Sequence, residues 1–136
     1  MHEVLMTENS NNSIISLSHN DFDDFLNNNS QKIIMVYFRA DWCEPCKGFS
    51  EIYKKISHDQ SYQDVLFASV DVDKEEDLAK DFNIRSVPTV IIFREHVALA
   101  VESGVLTEVD LKNLLDDAAQ LDMKEVQKNI AKKMLE

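Results

Sequence analysis

Residues 33–38, Ile-Ile-Met-Val-Tyr-Phe, are apolar without interruption. A run this short, partly β-branched and with no polar alternation, predicts a strand covered on both faces. Thr89-Val90-Ile91-Ile92-Phe93 predicts another central strand, Val65 to Val72 a third and Ile14 to Leu17 a short one. Helical spacing appears between them. Phe22, Phe25 and Leu26 follow the capping candidates Ser18-His19-Asn20-Asp21, and Asn27-Asn28-Asn29-Ser30 closes that element. Phe49, Ile52, Tyr53 and Ile56 share one face of a helix expected to begin at Cys43. Asp73-Lys74-Glu75-Glu76 has the form of a capping box with Asp73 as cap, ahead of Leu78, Ala79 and Phe82. Thr107-Glu108-Val109-Asp110 has a similar form, ahead of Leu111, Leu114, Leu115 and Ala118. His96 to Glu102 is expected to pair with the preceding strand as a hairpin, and Gly104 to mark a turn or bulge.

Alternation of strands and helices ending in a hairpin implies an α/β chain, with a central mixed sheet flanked by helices on both faces. The expected organisation is a flexible lead-in over 1–12, rich in Asn and Ser, one domain over 13–121 and an amphipathic extension over 122–136. In the extension, Met123, Val126, Ile130 and Met134 fall at spacings of three, four and four. It reads as a last helix packed on the body or as a partner-binding element.

The net charge is −11, of which residues 124–136 contribute +2 and the remainder −13. An acidic body argues against nucleic acid or an anionic membrane as partner. No apolar run is long enough to span a bilayer, and no basic start followed by an apolar stretch marks a secretory leader, so a cytoplasmic location is expected.

The chemistry lies in the chain's two cysteines, Cys43 and Cys46, within Ala-Asp-Trp-Cys-Glu-Pro-Cys-Lys. Two cysteines cannot make a disulfide scaffold, and a bridge across two residues removes little unfolded-state entropy. One helical turn brings such a pair to bonding distance, so the sulfurs can cycle between dithiol and disulfide. Pro45 is tolerated only in a helix's first turn, which places the pair at a helix N-terminus. Unpaired N–H groups and the helix dipole there favour a thiolate, the form that attacks disulfides. Cys43 is therefore expected to be exposed, with a lowered pKa, and to attack. Cys46, one turn inward, is expected to be more buried and to resolve the mixed disulfide. Two structural cysteines, or a metal held by cysteines from two chains, are the alternatives. His2, His19, His58 and His96 lie singly and show no ligand spacing, so no metal is expected.

Trp42-Cys43-Glu44-Pro45-Cys46-Lys47 resembles the active site of the thioredoxin family. Ile84-Arg85-Ser86-Val87-Pro88-Thr89 resembles that family's Pro-Thr segment, and Asp71-Val72-Asp73 and Gly104 fall at matching places. The resemblance spans roughly residues 14–121. It implies a thioredoxin-like fold, a cis Val87–Pro88 bond against the cysteines, and a client groove formed by Trp42, Val87, Pro88, Ser103 and Gly104. It implies a protein-disulfide reductase acting as a monomer through Cys43 and Cys46. No cofactor would be bound, and electrons would come from NADPH through a thioredoxin reductase. An oxidant or isomerase with few clients is the alternative within the family. A non-catalytic, chaperone-like binding module is the alternative outside enzymology.

Three departures bear on redox tuning. Glu44 stands where thioredoxins have Gly before Pro45, which places a carboxylate beside the thiolate and is expected to make the couple slightly more reducing. Tyr37 and Ser69 stand where the family keeps a buried Asp and its Lys. Cys46 is then left without an evident base other than water or Glu44, so resolution is expected to be slow. Arg39 replaces an aromatic residue before Ala40, and the usual Asn-Gly turn near Glu95 and His96 is missing.

Overall fold

A computed structural model describes residues 14–135, so the expected lead-in over 1–12 lies outside the described residues. The elements are β1 (Ile14–Ser16), α1 (His19–Asn28), β2 (Ile34–Arg39), α2 (Glu44–Ser57), a 3₁₀ turn (Gln60–Tyr62), β3 (Leu66–Asp71), α3 (Glu76–Asp81), β4 (Thr89–Arg94), β5 (Val97–Ser103), α4 (Glu108–Gln120) and α5 (Met123–Met134). The strands form one mixed sheet in the order β1-β3-β2-β4-β5. β3 runs parallel to β1 and β2, whereas β4 runs antiparallel to β2 and β5.

The uninterrupted run over 33–38 becomes the central strand because both its faces are covered. Met35 and Tyr37 enter a core shared with Phe49, Tyr53 and Ile56 of α2 and Leu111, Leu115 and Ala118 of α4. Ile34, Val36 and Phe38 enter a second core with Phe22 and Leu26 of α1 and Leu78 of α3. This is the two-residue period of a strand serving two layers at once. Each fully buried large side chain contributes roughly 1.5–3 kcal/mol. Phe22 and Phe93 also meet Phe82 at ring distances of 5.2 and 5.5 Å.

The caps follow the sequence at two helices, and a third forms at Asp122. The Ser18 hydroxyl accepts from the Asp21 N–H, Thr107 and Asp110 form the reciprocal capping box, and Asp122 accepts from the N–H groups of Lys124 and Glu125. The box expected at Asp73 is not formed. α3 starts at Glu76, its N-cap is Glu75, and no side chain caps it. The Asp71 carboxylate takes the N–H groups of Asp73 and Lys74 instead, folding these residues into a turn before the helix begins.

The last helix is a separate element. Leu121 is extended (ψ 138°), which breaks α4, and Asp122 starts α5. Met123 is buried, Gln127 donates its side-chain amide to the Glu95 carbonyl, and Arg94 donates to the Ala118 carbonyl behind the break. The apolar stripe is covered at its start and exposed at its end, where Met134 and Leu135 face outward.

Candidate active site

The site forms where β2 ends and α2 begins. Cys43 is the N-cap of α2, with an extended backbone, and its Sγ accepts a hydrogen bond from the Cys46 N–H at 3.1 Å. A sulfur in this position replaces the usual oxygen cap, so negative charge formed on it faces the free N–H groups of the first turn. Pro45 occupies that same turn, where a missing N–H costs no helical bond. Cys43 and Cys46 are joined as a disulfide.

The cis Val87–Pro88 bond is present, and the Val87 carbonyl oxygen lies 3.7 Å from Cys43 Sγ. Three further contacts fix this loop. The Thr89 hydroxyl donates to the Ser86 carbonyl at 2.8 Å and lies 3.0 Å from the Ser103 hydroxyl, while the Gly104 N–H donates to the Pro88 carbonyl at 2.8 Å. Gly104 has φ +98°, a conformation open to glycine. Val87, Pro88, Ser103 and Gly104 therefore meet as one rim beside Cys43. Trp42 precedes Cys43 in the chain and is 68% exposed.

The expected difference in exposure between the cysteines does not hold. Cys43 is 2% exposed and Cys46 3%. The Val87 carbonyl, 3.7 Å away, lies against the outer sulfur. Nor is Glu44 a bare carboxylate: its Oε2 lies 2.7 Å from Lys47 Nζ, and both side chains are exposed. Arg39 is engaged with Asp41 at 2.6 Å and Asp71 at 3.6 Å, tying the loop before Trp42 to the end of β3.

Tyr37 is buried beneath the helix. Its hydroxyl donates to the Cys46 carbonyl at 3.2 Å and lies 2.8 Å from the Ser50 hydroxyl. Burial raises its pKa above the ordinary phenol value, against smaller lowering effects from Ser50 and Arg39, so it is a neutral donor at neutral pH. Ser69 is its register partner on β3. A depression of about 330 Å³ lined by Arg39, Asp41, Cys43, Cys46, Ser50 and Glu51 opens beside the disulfide. A larger hollow of about 840 Å³ lies at the start of α5, around Glu95 and Met123, away from any reactive group named here, so the chemistry identifies the smaller one.

Sequence reasoning does not single out Ser50, and it places Thr89 in the Pro-Thr segment without the contacts its hydroxyl makes. Ser50 had one available signal, its position four residues after Cys46 on a predicted helix. Among the described residues no group of three or more His, Cys, Asp or Glu side chains is placed to hold a metal, and no helix is long and apolar enough to cross a membrane.

Comparison with known proteins agrees with this geometry. The thioredoxin family model matches residues 13–117. The chain is 36% identical to a putative thioredoxin 2 of Streptomyces coelicolor over 88% of this chain and 86% of that one. It is 34% identical to thioredoxin-1 of Caenorhabditis elegans over 74% and 86%. Among solved structures, Schistosoma mansoni thioredoxin superposes with a TM-score of 0.70 at 28% identity, covering 77% of this chain and 94% of that one. A complex of ferredoxin:thioredoxin reductase with thioredoxin f2 contains a chain that superposes with a TM-score of 0.73 at 26% identity, covering 79% and 96%.

Proposed function

The chain belongs to the thioredoxin family and is a dithiol–disulfide oxidoreductase, and from that premise we propose that it works as a protein-disulfide reductase in which Cys43 attacks and Cys46 resolves. The Cys43 thiolate attacks one sulfur of a client disulfide and the other leaves as a thiolate. Cys46 then attacks Cys43, forming the intramolecular disulfide and releasing the second client thiolate. The client gains two electrons and the cysteine pair loses two.

The observation that carries this reading is the Cys43 sulfur at the N-cap of α2, accepting from the Cys46 N–H. The rim of Val87, Pro88, Ser103 and Gly104, with the exposed Trp42 preceding Cys43, supports a client groove. The Val87 backbone beside Cys43 suits an extended client segment, which would hydrogen-bond to it as a strand. Glu44, Pro45 and Tyr37 are the tuning positions. The helix Met123–Met134 is an extension of the domain rather than part of the site.

Recharging requires an electron donor. We assign that role to a thioredoxin reductase drawing on NADPH, in the cytoplasm, with the chain acting as a monomer. That a related fold was crystallised with a ferredoxin:thioredoxin reductase supports a reductase as partner. The test is the reduction potential of the Cys43–Cys46 couple, equilibrated against glutathione and dithiothreitol buffers. A value near or below the cytosolic glutathione poise, roughly −220 to −320 mV, fits a reductase. A value far above it would make the protein an oxidant or isomerase and would count against the cytoplasmic assignment.

A further inference from the structure

Cys46 has to lose a proton before it can attack, because the thiolate is the nucleophile. The groups around it are unusual for that task. Beneath it, on β2, lies Tyr37, whose neighbour across β3 is Ser69. Arg39 is occupied by Asp41 and Asp71, and Lys47 by Glu44. Glu51 lines the same depression from an exposed position. The polar groups beneath this turn are two hydroxyls, that of the buried Tyr37 and that of the half-buried Ser50.

Ser50 follows Cys46 by four residues on α2, so both lie on one helix face, and both line the depression beside the disulfide. Its oxygen is 2.8 Å from the Tyr37 hydroxyl, which also bonds the Cys46 carbonyl. Tyr37 cannot swing away. It is 2% exposed, and the rings of Phe49 and Tyr53 hold it at centroid distances of 5.0 Å each.

We propose that Ser50 stabilises the Cys46 thiolate during resolution by donating its hydroxyl hydrogen to the sulfur, with Tyr37 as the positioning residue behind it. It rests on the dithiol–disulfide reading above. With Cys46 protonated, Tyr37 donates to the Cys46 carbonyl and Ser50 donates to Tyr37, which leaves the Ser50 lone pairs free to accept from the thiol. When the thiol proton departs to solvent in the depression, both hydroxyls turn. Tyr37 then donates to Ser50, and Ser50 donates to the sulfur. A donor that is itself a hydrogen-bond acceptor is polarised and strengthened. The Cys46–Cys43 bond then forms, the Cys43–client bond breaks, and the client thiolate takes a proton from solvent. No external oxidant or base is required.

A hydrogen bond to a charged sulfur makes about a ten-fold difference in the ionisation equilibrium, so its loss raises the Cys46 midpoint by about one pH unit. The rate change is smaller, because a less acidic thiol is intrinsically more nucleophilic. With a Brønsted slope near 0.45, about three-fold of the ten-fold loss is recovered. Removing the hydroxyl should therefore slow resolution about three-fold at neutral pH and speed it about three-fold well above the midpoint.

The experiment mixes reduced full-length protein with 5,5′-dithiobis(2-nitrobenzoate) in a stopped-flow instrument and follows both aromatic thiolate releases against pH. The first release reports attack by Cys43 and the second reports resolution by Cys46. Ser50→Ala should leave the first phase unchanged, shift the second-phase midpoint upward and give the rate crossover. Tyr37→Phe should shift the midpoint less, the double variant no further than Ser50→Ala, and Ser50→Thr should restore most of the shift. A wild-type second phase in Ser50→Ala, or equal slowing of both phases at every pH, would overturn the inference. Absence of any second release from the wild-type protein would overturn the dithiol reading, and this inference with it.

Discussion

The β4–β5 hairpin turns through two residues in the left-handed region, Glu95 at φ +52° and His96 at φ +67°. A two-residue hairpin needs this pair of conformations to match the twist of its strands, and Asn-Gly supplies them at least cost. A residue with a Cβ pays roughly 1–2 kcal/mol there. The turn is held despite that cost because its backbone is tied on two sides: the Glu95 N–H donates to the Ser30 carbonyl at 3.0 Å, and the Glu95 carbonyl accepts from Gln127 at 3.2 Å. His96 is exposed. Replacing it by glycine relieves the strain while leaving both backbone bonds intact, against an unfolded-state entropy cost of about 0.5–1 kcal/mol. The net expectation is a stabilisation of about 0.5–1 kcal/mol for His96→Gly.

At about 2.1 cal/mol/K per residue, unfolding a chain of 136 residues corresponds to roughly 3–4 °C in Tm for each kcal/mol. The cleaner assay is urea unfolding of the oxidised protein, where the slope should stay constant and the midpoint rise. Disulfide reduction should be unaffected, since the turn lies at the Phe93 end of β4 and the site beside the Thr89 end. A fall in midpoint for His96→Gly would refute the argument, because it would mean that the histidine side chain contributes more than its backbone conformation costs.

Other consequences follow from single contacts. The Tyr53 hydroxyl is buried and lies 2.9 Å from the Met35 carbonyl and 2.8 Å from the Ala68 carbonyl, so Tyr53→Phe should cost about 1–2 kcal/mol in a denaturant melt. Lys47→Met uncovers the Glu44 carboxylate beside the first turn of α2. That destabilises the Cys43 thiolate and hence the reduced form, making the potential more negative by about ten millivolts in a glutathione titration, whereas Glu44→Gln should shift it the other way. Asp59 is held below its ordinary carboxyl pKa chiefly by the Ser61 N–H, with Lys112 adding to the effect, and Glu108 is held below its own by Lys55 and Lys112. Groups with lowered folded pKa values stabilise above the unfolded values, and this contribution disappears as pH falls through the folded ones. Acid unfolding should therefore show a step below about pH 4 that salt weakens and Glu108→Gln reduces.

Legibility tracked the range of the interaction. β2 and β4 could be read because burial on both faces leaves a continuous apolar run. The cap at Thr107 could be read because both partners lie within one turn. The cap at Asp73 does not form because Asp71, outside the apparent box, takes the Asp73 N–H that Glu76 would have bonded. The absence of Asn-Gly at the hairpin was visible, but the left-handed turn that forms anyway depends on Ser30 and Gln127, from distant segments. At the site, Cys43, Cys46, Val87 and Pro88 carried local signatures. Ser50 did not, since a serine in a helix looks ordinary until packing sets a tyrosine against it.

Two of the departures at the site, Tyr37 and Arg39, are coupled through one strand. Tyr37 and Arg39 leave β2 two residues apart, and Ser69 and Asp71 face them across β3 in the same register. A charged pair at the inner positions would have to overcome the cost of removing both ions from water, which is several kcal/mol for each. This chain places its ions at the outer positions instead, where Arg39 bridges Asp41 and Asp71, and fills the inner ones with neutral hydroxyls and a tyrosine ring that packs on Phe49 and Tyr53. The ring adds apolar burial that a carboxylate would forfeit. In exchange, the charged groups at the end of β2 are spent on fixing the loop that carries Trp42. The ion pairs that hold the loop and the hydrogen bonds that reach Cys46 share no bonded group, so substitution at Arg39 should disturb the loop while leaving the Tyr37–Ser50 hydrogen bond in place.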